Sequence, residues 1–257
     1  MSTHHAAIDD AAWHSPWRRH RVSEKVLLSL GLVFTALLTP AWPGSLLVGV
    51  VAVFLMLGPA QIRPRLLAWV AAAPVGFLLI GTIPIAVQWG AAPAGWSVGI
   101  GHLHLTTAGL RVAGELWGHG LSGTLAILLL ATTTPMVDVL TWTRRLHIPD
   151  ALLDIASLIY RLVFLLLSTT LAIREAQRAR LGETASLRRR WATVAATLGS
   201  ILIGTWQRAT RMQAGLEGRG YEESLHTLAI HRPRNWVFVS VSVGGLAVIW
   251  AVCGALA

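Results

Sequence analysis

The sequence predicts an all-α polytopic membrane protein, with about five transmembrane helices and additional long cytoplasmic helices. Three observations carry this. Hydrophobic residues make up 54% of the 257 positions and charged residues only 13%, about half the charge of a soluble domain, and the mean hydropathy is +0.60. The charge is lopsided, with 21 Lys and Arg against 12 Asp and Glu and a formal net charge of +9. The charges are also segregated. Residues 26–132 hold only Arg63, Arg65, Arg111 and Glu115, residues 235–257 hold none, and residues 133–234 hold fourteen Arg and eight acids, a net of +6. This pattern excludes a soluble or disordered chain. The single cysteine, Cys253, excludes an intramolecular disulfide and a Cys-based zinc site.

The elements follow in order. Residues 1–25 are polar and carry a net charge of +1. No A-x-A-like site follows the first apolar run, so they read as a cytoplasmic segment and not as a signal peptide. A span needs ~20 apolar residues. Val26–Trp42 is the first candidate. Leu46–Leu57 follows Pro40 and Pro43 and forms a tight hairpin with it. Leu66–Val87 contains Pro74 and Pro84, which favour a kink. Val112–Thr134 is the fourth, and Trp236–Cys253 the last. Two stretches are ambiguous, Leu162–Ile173 and Trp191–Trp206: either further spans or amphipathic helices on the inner leaflet. The positive-inside rule decides between these. If neither crosses, every basic cluster stays inside, the uncharged loop Gln88–Thr106 faces outside, and the C-terminus is outside. The expected organisation is therefore an N-terminal segment at 1–25, spans at 26–134, a cytoplasmic region at 135–234 and a final span at 235–257.

Within the cytoplasmic region, Thr132-Thr133-Thr134-Pro135 ends the fourth span, because proline and its predecessor resist helical continuation. Asp138 to Leu146 suits a short helix. A long helix is expected from Asp150 to about Leu181, stopped by Gly182, and a second from about Leu187 to Glu217, stopped by Gly218 and Gly220. Each ends in an Arg-bearing, Gly-terminated turn: Ala179-Arg180-Leu181-Gly182 and Gly218-Arg219-Gly220. Arg174 and Arg178 precede the first turn. Arg208, Arg211, Gly215 and Arg219 fall within roughly 80° at 100° per residue, one basic face beside the apolar pair Met212 and Leu216. Arginine near a helix C-terminus complements the macrodipole, and a basic face beside apolar surface suits anionic headgroups. The same residues also suit docking into acidic grooves of a cytoplasmic partner.

These residues resemble the transmembrane T component of energy-coupling factor (ECF) transporters, in its cobalt/nickel subgroup CbiQ. The likeness runs over about residues 8–250. It includes Ile8-Asp9, Ser15-Pro16-Trp17-Arg18, Lys25, Thr107, Gly109-Leu110, Thr133-Thr134-Pro135, Leu140, Leu146, Pro149 and Tyr160-Arg161. Its most specific part is the pair of Ala-Arg-Gly-like motifs about 39 residues apart. Both depart from the family pattern, with Leu181 where Gly is common and Gly218 where Ala is usual, while Arg180 and Arg219 are kept. The resemblance implies a protein that is not an enzyme, needs no cofactor and binds no nucleic acid. It implies two cytoplasmic ABC ATPase subunits, a membrane substrate-capture subunit and the lipid bilayer as partners, for a multi-pass protein of a bacterial or archaeal cell membrane. The two long helices become coupling helices. ATPase docking falls to Ala179, Arg180, Leu181, Gly218, Arg219 and Gly220, supported by the basic face Arg174, Arg178, Arg208 and Arg211. Cobalt and nickel are not separated.

Other residues invite weaker readings. His4, His5, Asp9, Asp10 and His14 form a loose terminal group, and His102 and His104 alternate as on a strand; neither is assigned a metal. Arg111, Glu115 and His119 are spaced four apart and read as an interfacial polar network. Trp42, Trp69, Trp89, Trp96 and Trp117 suit interface anchoring. Gly118, Ser122 and Ala126 permit close helix contact, including with the capture subunit. The alternatives are an intramembrane enzyme acting on a phosphorylated lipid and an ordinary permease. Paired carboxylates at metal-binding spacing and a P-loop are missing, against the first. No internal repeat and few polar residues in the spans weigh against the second.

Overall fold

Proline and capping residues set where the helices start and stop in the computed structural model, which describes residues 4–89, 97–100, 103–146, 148–179, 187–220 and 233–256. Helix α1 (His4–His14) is followed by a 3-10 turn at Pro16–Arg19, capped by Ser15, whose Oγ accepts from the Trp17 amide at 3.3 Å. Helix α2 (Val22–Leu38) stops at Thr39-Pro40, and a kinked turn at Ala41–Ser45 leads into α3 (Leu46–Leu57). Helix α4 (Pro64–Ala86) begins with proline at its first position, where the missing N–H costs nothing. Helix α5 (Thr107–Thr133) is capped by Thr106, whose Oγ1 accepts from the Gly109 amide at 3.2 Å. Then come α6 (Met136–Thr143), a 3-10 turn at Arg144–Leu146, α7 (Asp150–Ala179), α8 (Leu187–Glu217) and α9 (Trp236–Leu256).

The fold class is the expected helical, polytopic one, with one addition. The loop between α4 and α5 carries a small antiparallel sheet of β1 (Val87–Trp89), β2 (Ser97–Ile100) and β3 (Leu103–Thr106), in the order β1-β3-β2. Val87 pairs with Leu105 and Ser97 with Thr106. Helices α4, α5, α7 and α9 are each long and apolar enough to cross a membrane; the turn and α3 together (Ala41–Leu57) are shorter. At 17 residues, α2 lies at the lower end of the spanning range. Helix α7 therefore meets the length and composition of a span, although its flanking charges favoured a cytoplasmic place.

The chain divides into two units. The first comprises Thr3–Val139 and His231–Ala257. Helix α5 is its hub, packed against α2, α3 and α4, and α9 packs on α2. Leu32, Val48, Met56 and Leu129 are the large apolar side chains at its centre. Gly109 admits the end of α4: a Cβ there would lie 2.8 Å from the Ile85 carbonyl oxygen.

Lipid is as apolar as leucine, so packing and interhelical hydrogen bonds hold such bundles together. Ser29 Oγ donates to the Ala126 carbonyl at 2.6 Å, and Trp250 Nε1 donates to Thr35 Oγ1 at 3.2 Å. The Ala36 carbonyl would bond the amide of residue 40, but Pro40 has none. His119 Nδ1 donates to that carbonyl instead, at 2.7 Å.

The second unit is Leu140–Ile230, in which α7 and α8 pack against one another. Leu153 and Asp154 are the only buried residues described in α7, and none is buried in the described part of α8. Arg144 fixes the start of α7 by pairing with both Asp150, at 3.3 Å, and the buried Asp154.

Candidate functional site

The second motif closes α8. The amides of Gly218, Arg219 and Gly220 donate to the carbonyls of Ala214, Leu216 and Glu217 at 3.0, 3.0 and 3.1 Å. Gly220 has φ +73°, the left-handed conformation that favours glycine at a helix stop. This leaves Arg219 exposed at the end of a 31-residue helix. Ala179 is the last residue of α7 and is exposed. Arg180 and Leu181, with Gly182, lie outside the described residues. Arg174, Arg178, Arg208 and Arg211 are all exposed.

The predicted site residues do not all share one surface. Arg208 and Arg219 line a groove of about 750 Å³ between α7 and α8, floored by Leu162, Phe164, Met212 and Leu216. Arg211, Arg174 and Arg178 are not among its lining residues. Arg161 of α7 is, and sequence reasoning had not placed it in the site. Its pairing with Tyr160 in the family-like segment was the available signal; the register that turns it toward α8 was not visible in the chain.

A second constellation forms in the first unit, at the start of α2. Lys25 is 2% exposed, and its Nζ donates to the carbonyl of Thr133, the last residue of α5, at 2.9 Å. A cation at a helix C-terminus meets the negative end of the macrodipole. Glu24, also buried, accepts from the Asn235 amide at 2.8 Å and from the Arg21 amide at 3.3 Å. Asn235 caps α9 through its Oδ1, which accepts from the Phe238 amide at 3.2 Å. His20 stacks on Phe238 with centroids 4.4 Å apart, and Trp17 meets the same ring edge-on at 5.2 Å. Burial lowers the His20 pKa, against the raising effect of Glu24 and with a further lowering from Lys25. Ser15 Oγ donates to the Ala60 carbonyl at 3.2 Å, binding the N-terminal segment to the turn after α3. The family-like residues Ser15, Trp17, Lys25 and Thr133 thus fasten α2, α5, α9 and the α3–α4 turn together.

The remaining candidates have local partners. Asp9 accepts from Trp13 Nε1 at 3.0 Å, and His14 contacts Asp10 at 3.3 Å. No group of three His, Cys, Asp or Glu able to hold a metal ion occurs among the described residues. His104 sits on β3, while His102 lies outside the described residues. Arg111 pairs with Glu115 at 3.0 Å on the exposed face of α5, but His119 leaves that network for Ala36. Of the small-residue stripe, Ala126 is fully buried, and a Cβ on Gly118 would lie 2.6 Å from Ser45 Oγ. The chain's own helices therefore fill much of that contact. An apolar groove of about 930 Å³ remains beside it, bordered by Leu46, Phe54 and Leu57 of α3 and by Gly114 and Trp117 of α5. Trp42 is 75% exposed and Trp69 48%, as interface anchors require.

The fold and these sites define a multi-pass cell-membrane protein whose second unit is built on two long helices. The family model described as cobalt transport protein, CbiQ, matches residues 14–228. The chain is 37% identical over 226 residues to a cobalt transport protein CbiQ of Rhodobacter capsulatus, covering 87% of this chain and 88% of that one. It is 30% identical to a CbiQ of Salmonella typhimurium, covering 85% and 98%. It is 25% identical over 248 residues to a putative fused cobalt transport protein CbiMQ of Methanocorpusculum labreanum, covering 92% of this chain and 41% of the fused protein. The chain belongs to the CbiQ family of cobalt transport proteins.

Proposed function

We propose that this chain is the transmembrane coupling subunit of an ECF-type ABC transporter for cobalt or nickel. It passes ATPase motion to a separate membrane subunit that captures the metal. The observation that carries the reading is the contrast between an interlocked membrane unit and two long helices with little burial, one of which ends in an exposed Gly-Arg-Gly turn. Such ends suit seats on two ATPase subunits, with Arg219 and Arg180 entering acidic grooves as charge-assisted, planar contacts. A stiff helix transmits displacement along its length, which an exposed loop would absorb. Residues 135–234 then form the cytoplasmic region, consistent with its arginines under the positive-inside rule.

The capture subunit is assigned to the apolar groove between α3 and α5, where Gly114, with open space at its Cβ position, allows close backbone approach. The fused archaeal relative supports a second membrane component: this chain matches 41% of it, so a larger part of that polypeptide lies outside the match. In this reading the metal is cargo, and no residue of this chain holds it as a cofactor.

The test is co-purification. The double variant Arg180→Glu/Arg219→Glu should insert normally but lose both ATPase subunits and metal uptake. Unchanged ATPase binding and uptake in that variant would overturn the reading. Each single variant should weaken ATP-driven uptake more than it lowers the amount of protein in the membrane.

A further inference from the structure

We infer that the groove between α7 and α8 is a binding site for one anionic phospholipid, whose headgroup phosphate is held by Arg161 and Arg208. Three arginines, Arg161, Arg208 and Arg219, converge on this groove from two helices. None has an acidic partner among the described residues, whereas Arg144 and Arg111 in the same chain do. Converging guanidinium groups repel one another, and an anion between them removes that cost; phosphate oxygens match the guanidinium fork.

The rest of the groove selects the kind of anion. Its floor is hydrocarbon, with Leu158, Leu162, Phe164, Leu165 and Leu216 among the lining residues. A free phosphate or a carboxylate would leave that floor uncovered. An acyl chain would cover it while its headgroup met the arginines.

The helices also place the groove beside lipid. On α8, Trp191, Val194, Leu198, Leu202 and Trp206 are all exposed. At ~100° per residue they form one stripe about 120° wide. Tryptophans at both ends of an apolar stripe, with arginines flanking it, describe a helix lying in the membrane interface. On α8 the groove residues adjoin this stripe, so that side of the groove presents hydrocarbon and positive charge together, the two features of an anionic leaflet.

The groove ends at the docking turn, where Arg219 lines it. The phosphate is assigned to Arg161, mid-helix in α7, and Arg208, eleven residues before Arg219, so the Gly-Arg-Gly end remains available to a protein partner. Failure of one assignment is therefore distinguishable from failure of the other.

The experiment uses the full chain in nanodiscs made from equal amounts of phosphatidylglycerol and phosphatidylcholine, released for native mass spectrometry. The wild-type chain should retain phosphatidylglycerol over phosphatidylcholine by about tenfold or more, the scale set by two arginines at a charged surface. Arg161→Gln/Arg208→Gln should bring the ratio close to one. Arg161→Lys/Arg208→Lys should keep part of the preference, since charge remains while the planar fork is lost. Arg174→Gln, on α7 but outside the groove, should leave the ratio unchanged, and millimolar inorganic phosphate should not displace the lipid. Equal retention of the two lipids by the wild-type chain would overturn the inference, as would a ratio equally sensitive to Arg174→Gln or displacement by phosphate. Loss of the ATPase subunits from Arg161→Gln, whose residue lies outside the docking set, would also overturn it, assigning the groove to the protein partner; the expected result is that they stay bound.

Discussion

The two units of this chain solve opposite problems. The first unit satisfies its polar groups internally: Lys25, Glu24, Ser29 and His119 each reach across to a backbone group of a distant element. In the second unit Arg161, Arg174, Arg178, Arg208, Arg211 and Arg219 and an apolar stripe are exposed, and Arg144 pairs with two aspartates. A bundle in lipid gains from interhelical hydrogen bonds because the hydrophobic effect does not drive its helices together. The contrast is between a unit held by its own long-range hydrogen bonds and a unit whose described side chains are largely exposed.

The largest expected effect tests the first unit. Lys25→Met keeps much of the side-chain volume but removes the ammonium donor from the Thr133 carbonyl. The buried carbonyl then loses its charged partner, at a cost of about 3 kcal/mol. Arg211→Ala, on the exposed face of α8, should change stability by less than about 0.5 kcal/mol. Thermal melts in detergent compare the two. Similar melting shifts in both variants would erase the distinction between the units.

A second variant tests the ion pair at the start of α7. Arg144→Gln leaves Asp154, which is 2% exposed, without its guanidinium. The expected cost is about 2 kcal/mol, below the range for a fully buried pair because Arg144 itself is partly exposed. The effect should be local. Hydrogen exchange should accelerate in the first turns of α7 and stay unchanged in α5. Acceleration spread evenly over both helices would show that the pair serves the whole molecule.

How much of this was legible in the chain depends on the range of each interaction. The ends of α7 and α8 follow from Asp150, Gly218 and Gly220, because helix stops are set by adjacent residues. The observed start of α7 at Asp150 and end of α8 at Glu217 agree with those expected, while the expected stop of α7 at Gly182 lies outside the described residues. Helix α2 begins four residues before the expected Val26. Glu24 and Lys25 read as water-exposed charges, yet both are buried because partners 211 and 108 residues away in sequence receive them. No local pattern encodes such partners. The sheet between α4 and α5 was hinted at only by the alternation around His104. Arg161 escaped for the same reason as Lys25: its role depends on a neighbour supplied by another helix. The first motif's Arg180 and Leu181 lie outside the described residues, so that half of the docking expectation rests on sequence.

The smallest expected effect concerns pH and belongs to the rim of the first unit. Burial against Phe238 lowers the His20 pKa below its ordinary 6.5; Glu24 pulls it upward and Lys25 downward, without reversing the direction. A base with a lowered folded pKa binds fewer protons in the native state than in the unfolded chain between the two values. Stability therefore rises with pH through that window and is lost as pH falls from 6.5 toward the folded value. His20→Phe retains a ring against Phe238 and removes the titration. The wild-type melting midpoint should fall between about pH 7 and about pH 5.5, and the fall should be shallower in His20→Phe. An equal fall in both proteins would place the acid sensitivity elsewhere in the first unit, or in the second unit.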